Sequence, residues 1–108
     1  MLPKKNRTTK KEVENLFKRG STLHGSVLFL KYSLLKEQLV KKASFVVPKK
    51  LEKGAFHRNT LKRKGYNALL PYLHTLPVGF LGVFTFKEKG VDVKTIQDDI
   101  KKLCNKIN

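Results

Sequence analysis

The chain has 108 residues, of which 40% are apolar, and its 24 Lys and Arg against 8 Asp and Glu give a formal net charge of +16. This length suffices for one domain with a modest core, and the apolar fraction excludes a wholly disordered basic tail. Because so much like charge repels itself in a compact domain, we expect a polyanionic partner, with nucleic acid favoured over an anionic membrane surface.

The single cysteine, Cys104, cannot form a disulfide within the chain, which favours a reducing, cytoplasmic location. No His and Asp pattern surrounds Cys104, so we interpret it as a packing residue rather than a nucleophile. No apolar run approaches the about 20 residues needed to span a bilayer. The basic N-terminus also lacks the apolar stretch of a secretory signal. We therefore expect no membrane partner.

The first segment, residues 1–8, is predicted to be a flexible basic arm. A helix is predicted from Thr9, whose hydroxyl would form a capping box with Glu12, to a point just before Gly20. Three apolar residues at helical spacing predict its buried face: Val13, Leu16 and Phe17.

Two segments rich in β-forming residues follow this helix. Residues 23–35 predict one strand, and residues 43–47 predict another that ends at Pro48. Between them, residues 36–42 have the polar character of a turn with short strand ends, and residues 43–47 would form the third strand rather than the second if residues 34–40 contribute one.

A basic helix is predicted over residues 56–66, inside a segment, 49–67, that holds seven Lys and Arg and one acidic residue. Leu61, Ala68 and Leu69 mark its buried side. Gly65 weakens such a helix by about 1 kcal/mol relative to alanine, unless it permits a close approach to another element.

The last third of the chain predicts a loop between Pro71 and Pro77, a central strand over 78–86, and a helix over 92–107. The apolar face of that helix consists of Val93, Ile96, Ile100, Leu103 and Ile107. Asp98 and Asp99 are expected on its solvated side. The resulting order, α-β-β-β-α-β-α, indicates a single α+β domain over residues 1–108, a small two-layer sandwich.

No catalytic or metal-binding set is visible in the sequence. The three histidines lie in three different segments, and none has the spacing of a metal ligand. The distinctive feature is instead the surface of the basic helix, where cations can bind phosphates and Asn59 can bond a 2′-hydroxyl or base edge. Tyr66, at the predicted end of this helix, could stack on an unpaired base. The cations on this surface are Arg58, Lys62, Arg63 and Lys64.

Residues 45–63 place a strand, a Lys-Lys pair, an alanine and the basic helix in succession, and this arrangement resembles the signature of the bacterial ribonuclease P protein. The matching residues are Lys49, Lys50, Ala55, Arg58, Asn59, Lys62 and Arg63. Residues 6–20 and 79–107 are similar to the family's first helix and to its last strand and closing helix. The chain departs from the pattern at Pro48, at Thr60, and at Tyr66 and Asn67.

The resemblance implies a fold like the second domain of a small-subunit ribosomal protein, with a left-handed β-α-β crossover. It implies that the catalytic RNA is bound by Lys49, Lys50, Arg58, Asn59, Lys62 and Arg63, to which we add Lys64 and Tyr66. It also implies a cleft between sheet and helix for the 5′ leader of precursor tRNA, for which Phe29 and Tyr32 are the candidate contacts. Cleavage would belong to the RNA and to Mg²⁺ bound mainly by that RNA. No obligate protein partner is evident.

Three other functions remain open at this point. A ribosomal or other structural RNA-binding protein would share the charge and the basic helix without a role in tRNA cleavage. An independent nuclease would need a carboxylate or histidine cluster, which the sequence does not suggest. A helix-turn-helix DNA-binding module would need two adjacent short helices, whereas the basic helix here follows a strand.

Overall fold

The computed structural model describes residues 4–35, 37 and 39–107. Three α-helices and four strands form the domain: α1 (Lys10–Arg19), β1 (Ser21–His24), β2 (Leu28–Leu34), β3 (Lys42–Val46), α2 (Ala55–Leu69), β4 (Phe80–Phe86) and α3 (Val93–Ile107). This confirms the predicted α+β class and the order α-β-β-β-α-β-α. Two short 3-10 helices, Lys4–Asn6 and Leu70–Thr75, complete the list, and the second lies where a loop was predicted.

The four strands form one sheet in the order β1-β2-β4-β3. Strands β1 and β2 pair antiparallel, as do β2 and β4, whereas β3 runs parallel to β4. Helix α2 therefore connects two parallel neighbouring strands in a β-α-β unit, whose left-handed sense stays a prediction. All seven residues of β4 are buried, which confirms its predicted central position.

Helices cover both faces of this sheet. On one face, α2 and α3 close the main core over residues that alternate along β2 and β4, such as Leu30, Phe84 and Phe86. On the other face, Leu16 of α1 packs against Leu81 and Val83 in a second, smaller cluster. The predicted two-layer sandwich thus forms the main core, and α1 adds cover to the opposite face.

The single strand predicted over residues 23–35 is two strands joined by a tight turn. The turn is held by Asp99 of α3, whose carboxylate accepts hydrogen bonds from the backbone N–H groups of Ser26 (2.8 Å), Val27 (3.0 Å) and Leu28 (2.9 Å). Asp99 is 2% exposed, so the expectation that it is solvated is wrong. A Cβ atom on Gly25 would lie 2.4 Å from Asp99 Oδ2, so this turn requires glycine.

Helix α2 continues through Gly65 to Leu69, about one turn beyond its predicted end. A Cβ atom at Gly65 would lie 2.6 Å from Cδ1 of Phe45 on β3. The predicted reason for a glycine at this position, close approach to another element, is therefore confirmed.

Residues 4–8 of the N-terminal segment lie against the edge of the sheet, and the flexibility of this arm stays a prediction. Asn6 Nδ2 donates to the Lys41 carbonyl at 2.9 Å, and the Thr8 N–H donates to Ser44 Oγ at 3.1 Å. These bonds place the segment along β3, the edge strand. The first three residues of the arm lie outside the described residues.

The capping box predicted at the start of α1 is present. The Thr9 hydroxyl accepts the Glu12 N–H at 3.2 Å, and Glu12 Oε1 accepts the Thr9 N–H at 2.8 Å. Glu12 also pairs with Lys42 at 3.2 Å. Partial burial alone would raise the pKa of Glu12, but the hydrogen bonds from Thr9 and Lys42 outweigh it and lower the pKa below its ordinary value. Phe17, predicted to be core, is 42% exposed.

Candidate nucleic-acid interface

Helix α2 is a cationic helix without a single acidic residue. Its N-cap is Gly54, which supplies no side-chain hydrogen bond, and its first turn lacks the Asp or Glu that commonly offsets the positive end of a helix dipole. A solvated helix face ordinarily mixes charges of both signs. The uncompensated charge of α2 is instead suited to an external anion.

Seven of the eight predicted RNA-binding residues lie at the surface. Lys49, Lys50, Asn59 and Arg63 are exposed, and Arg58, Lys62 and Lys64 are half-buried. Asn59 and Arg63, four residues apart, lie on one face of α2, and Lys49 and Lys50 lie in the turn that precedes this helix. This arrangement can bind several phosphates of a polyanion at once.

Two of these cationic side chains, those of Arg58 and Lys64, also donate hydrogen bonds to backbone carbonyls of neighbouring segments. Arg58 Nη1 donates to the Glu52 carbonyl at 3.2 Å and to the Lys53 carbonyl at 2.6 Å, which ties the preceding loop to α2. Lys64 Nζ donates to the Val91 carbonyl at 3.4 Å, near the start of α3. A guanidinium has five N–H donors and an ammonium three, so both groups keep donors for a phosphate.

Tyr66 is the exception, and its predicted role in base stacking is wrong. The residue is 7% exposed because α2 does not end there but continues for another turn. Its ring packs edge-on against Phe45 with centroids 5.1 Å apart, and its hydroxyl accepts the Phe45 N–H at 3.4 Å. Tyr66 therefore belongs to the core.

The exposed aromatic residue of α2 is Phe56, which the sequence reasoning missed. Phe56 is 75% exposed. It lies five positions before the buried Leu61, which is about 140° around the helix at 100° per residue. Leu61 alone does not decide the matter, because the buried Tyr66 lies at the same angle on its other side. Phe56 is also about 120° from Ala68 and about 140° from Leu69, so it lies opposite the predicted buried side as a whole, and that is the sequence signal that could have identified it.

The two candidate leader contacts, Phe29 and Tyr32, lie on opposite faces of β2, because side chains alternate along a strand. Tyr32 stacks on Phe80 with centroids 6.3 Å apart and packs against the main core. Phe29 lies on the face that α1 partly covers, with its ring 5.9 Å from that of His24. One bound strand cannot contact both side chains at once, and which of the two contacts the leader stays a prediction.

Directly across from Phe29, on β4, lies Thr85. Thr85 is 4% exposed, and its hydroxyl has no hydrogen-bond partner among the described residues. The α1 face of the sheet thus combines a half-buried aromatic ring with a buried polar atom.

The remaining titratable groups form no catalytic cluster in the part of the chain that the structure describes. No group of three or more His, Cys, Asp or Glu residues there could hold a metal ion. Burial raises the pKa of Cys104 to about 11, so the thiolate is scarce near neutral pH and the residue acts in packing, as predicted. Within residues 4–35, 37 and 39–107, no helix is long and apolar enough to cross a membrane.

Comparison with solved structures shows the same fold in three structures of two bacterial proteins. The RNase P protein of Staphylococcus aureus is 18% identical, with 94% of each chain covered and a TM-score of 0.76. A second structure of the Staphylococcus aureus protein is 20% identical, covers 99% of this chain and 92% of its own, and has a TM-score of 0.75. The RNase P protein of Thermotoga maritima is 22% identical, covers 92% of this chain and 94% of its own, and has a TM-score of 0.78.

No curated protein matches the sequence. The family model described as Ribonuclease P, in contrast, matches residues 2–108, which is nearly the whole chain. The signature residues around the basic helix, the order of the elements and the fold agree with this match. The chain therefore belongs to the ribonuclease P family, as a protein component of the bacterial enzyme.

Proposed function

We propose that this subunit binds the catalytic RNA of ribonuclease P through α2 and the Lys49–Lys50 turn, and thereby assists removal of the 5′ leader from precursor tRNA. The observation that carries the proposal is the acid-free helix α2, which presents cations and an amide at the domain surface. Arg63 and Lys62 would contact phosphates, because guanidinium and ammonium groups form short, charge-assisted hydrogen bonds with phosphate oxygens.

Net charge supports a role between two RNA molecules. A catalytic RNA and its precursor tRNA are both polyanions and repel each other. A domain of charge +16 placed between them lowers that repulsion and releases the counterions that the phosphates hold. The expected effect is largest at low Mg²⁺, where fewer divalent ions screen the two RNAs.

We place the 5′ leader on the α1 face of the sheet. Phe29 offers a half-buried ring on this face, and Phe17 of α1 exposes 42% of its surface. Aromatic rings stack on unpaired bases without regard to sequence, which suits a leader whose sequence differs from one tRNA to the next.

The chemistry of cleavage is assigned to the RNA. Mg²⁺ held by RNA phosphates would activate the attacking water and stabilise the leaving oxygen. Glu12, for example, has a structural role, because it caps α1 and pairs with Lys42. We accordingly propose a non-catalytic role for the chain, in the cytoplasm, where precursor tRNA is processed.

The deciding experiment measures cleavage of precursor tRNA by a bacterial ribonuclease P RNA at low Mg²⁺, with and without the protein. Stimulation by the protein, without cleavage by the protein alone, is the expected result. Tight RNA binding without stimulation by any of several bacterial RNAs would instead support a structural RNA-binding protein.

The interface is tested by the salt dependence of RNA binding. Replacement of Lys62 or Arg63 by alanine should lower the slope of log K against log salt by about 1 each. Lys102, exposed on α3, provides the matched control, and Lys102→Ala should leave the slope unchanged. Equal slopes for all three variants and the native chain would remove α2 from the interface.

A further inference from the structure

Phe56 is an aromatic side chain that the fold leaves almost entirely in solvent. It occupies the second position of α2 and is 75% exposed, whereas the rings of Phe45, Phe84 and Phe86 are buried. Among the residues that the structure describes, its ring contacts that of the adjacent His57, edge-on, at 5.5 Å between centroids. The core therefore gains nothing from an aromatic residue here, and a polar side chain would serve the helix equally well.

The surroundings of Phe56 are polar and cationic. Asn59 and Arg63 follow it by three and seven residues, so all three lie on the same face of α2. At 1.5 Å per residue, Asn59 is about 4.5 Å and Arg63 about 10 Å further along the helix axis. Both side chains are exposed. An apolar protein partner would have to desolvate this charge, whereas a nucleotide offers a flat base and a phosphate together.

We propose that Phe56 stacks on an unpaired nucleobase of the RNA that α2 binds. Arg63 then contacts a neighbouring phosphate, and Asn59 bonds a base edge or a 2′-hydroxyl. Stacking on an aromatic ring needs an exposed face, which Phe56 has and Tyr66 lacks. The proposal rests on the proposed function insofar as the RNA is the catalytic RNA or the precursor tRNA.

The experiment uses the absence of tryptophan from the chain. The variant Phe56→Trp introduces a single indole, whose fluorescence is quenched when a base stacks on it. Catalytic RNA and precursor tRNA are titrated separately, so that the quenching RNA identifies the source of the base. We expect quenching that saturates at the RNA concentration at which binding saturates in a filter assay.

The matched control is Val78→Trp, which places an indole at a position that is 62% exposed but outside α2. Its fluorescence should stay constant during the same titration. Because both positions are largely exposed, neither substitution disturbs the core, and far-UV circular dichroism should show the native fold in each variant.

A second pair of variants separates stacking from apolar contact. Phe56→Leu keeps apolar bulk but removes the ring, and it should weaken RNA binding by roughly 5- to 100-fold, the range expected for loss of one stacked base. Phe56→Tyr keeps the ring and should bind within about threefold of the native chain.

The proposal is overturned if the indole at position 56 is not quenched by RNA that binds, or if Phe56→Leu binds as tightly as the native chain. The proposal is also overturned if, in the absence of RNA, the fluorescence of the Phe56→Trp variant falls as the protein concentration rises, because that would show self-association of the protein. Its failure is distinguishable from failure of the proposed function. Quenching without stimulation of cleavage would refute the role in tRNA processing alone, and stimulation without quenching would refute stacking alone.

Discussion

Replacing Asp99 by alanine should cost the domain a large part of its stability. The carboxylate accepts three backbone hydrogen bonds from the β1–β2 turn, from Ser26, Val27 and Leu28, at 2.8 to 3.0 Å. Removal leaves those N–H groups without an acceptor, and two of them belong to residues with 7% and 0% exposure. No other described contact replaces them.

The magnitude follows from two opposing contributions. Each hydrogen bond to a charged group stabilises by about 1.5–3 kcal/mol, and three are lost. The variant recovers the desolvation cost of a buried carboxylate, which is several kcal/mol. Measured losses for one partner of a buried charged pair are about 3–5 kcal/mol, and we expect the same range here. The free energy of unfolding of a native domain is about 5–15 kcal/mol in total, so this loss is a large part of it.

Asp99→Asn provides an intermediate case. In the native chain, Asp99 Oδ2 accepts the bonds from Val27 and Leu28, and Oδ1 accepts the bond from Ser26. The single side-chain oxygen of asparagine can keep the bonds from Val27 and Leu28, but its NH₂ group then faces the N–H of Ser26, which is also a donor. Loss of one bond and a donor–donor contact predict a cost of about 1–3 kcal/mol, smaller than for alanine.

The assay is urea unfolding followed by circular dichroism, with Asp98→Ala as the control. Asp98 is the exposed neighbour on the same helix, and its replacement should change the free energy of unfolding by less than about 0.5 kcal/mol. The slope m should be unchanged in all variants if only the folded state is affected. The reasoning is refuted if Asp99→Ala costs no more than Asp98→Ala.

Four further predictions concern single residues. Gly65→Ala should destabilise the domain by about 1–2 kcal/mol in urea unfolding, because overpacking against Phe45 exceeds the gain in helix propensity; a more stable variant would contradict the contact. Thr85→Val should raise the free energy of unfolding by about 1 kcal/mol, since it removes a buried hydroxyl without a partner among the described residues, and a loss would reveal a hidden hydrogen bond. Because the pKa of Glu12 is lowered in the folded state, its ionised carboxylate stabilises the fold. This contribution to the free energy of unfolding is complete above the pKa of the unfolded state and is lost as the pH falls through the pKa of the folded state. Unfolding measured from about pH 7 to 3 should therefore show a smaller acid-induced loss for Glu12→Gln, and an equal loss would exclude this contribution. The thiol of Cys104, with its pKa raised to about 11 by burial, should react with iodoacetamide much more slowly in the folded chain than in urea; equal rates would place it at the surface.

Several features of this protein follow from sequence alone because they depend on residues close together in the chain. The capping box joins Thr9 to Glu12, and the apolar face of α3 repeats every three or four residues. The largely apolar residues 78–86 predicted a central strand, and β4, Phe80–Phe86, is an inner strand of the sheet with every residue buried. Charge and the signature residues around α2 pointed to the family that the family model then matched.

The candidate interface was only partly predictable. Seven of the eight residues predicted to bind RNA lie at the surface, because their side chains are charged or polar and are therefore excluded from the core. Tyr66 was misplaced because it was taken as the exposed end of α2, whereas the helix continues to Leu69 and the Tyr66 ring packs against Phe45. Phe56 was missed although its position opposite Leu61, Ala68 and Leu69 around the helix could be read from the sequence.

The tertiary structure decided what depends on contacts between distant segments. Asp99 holds a turn 71 to 73 residues away in sequence, and no local pattern distinguishes it from the exposed Asp98 beside it. The three-residue spacing of Phe29 and Tyr32 already places them on opposite faces of one strand, but only the packing of the helices decided that Phe29 lies on the α1 face and Tyr32 on the main-core face. Sequence thus determined the elements, the charge and the family. The pairing of strands and the packing of helices determined which side chains are left for RNA, because burial is a property of neighbours in space and not of neighbours in the chain.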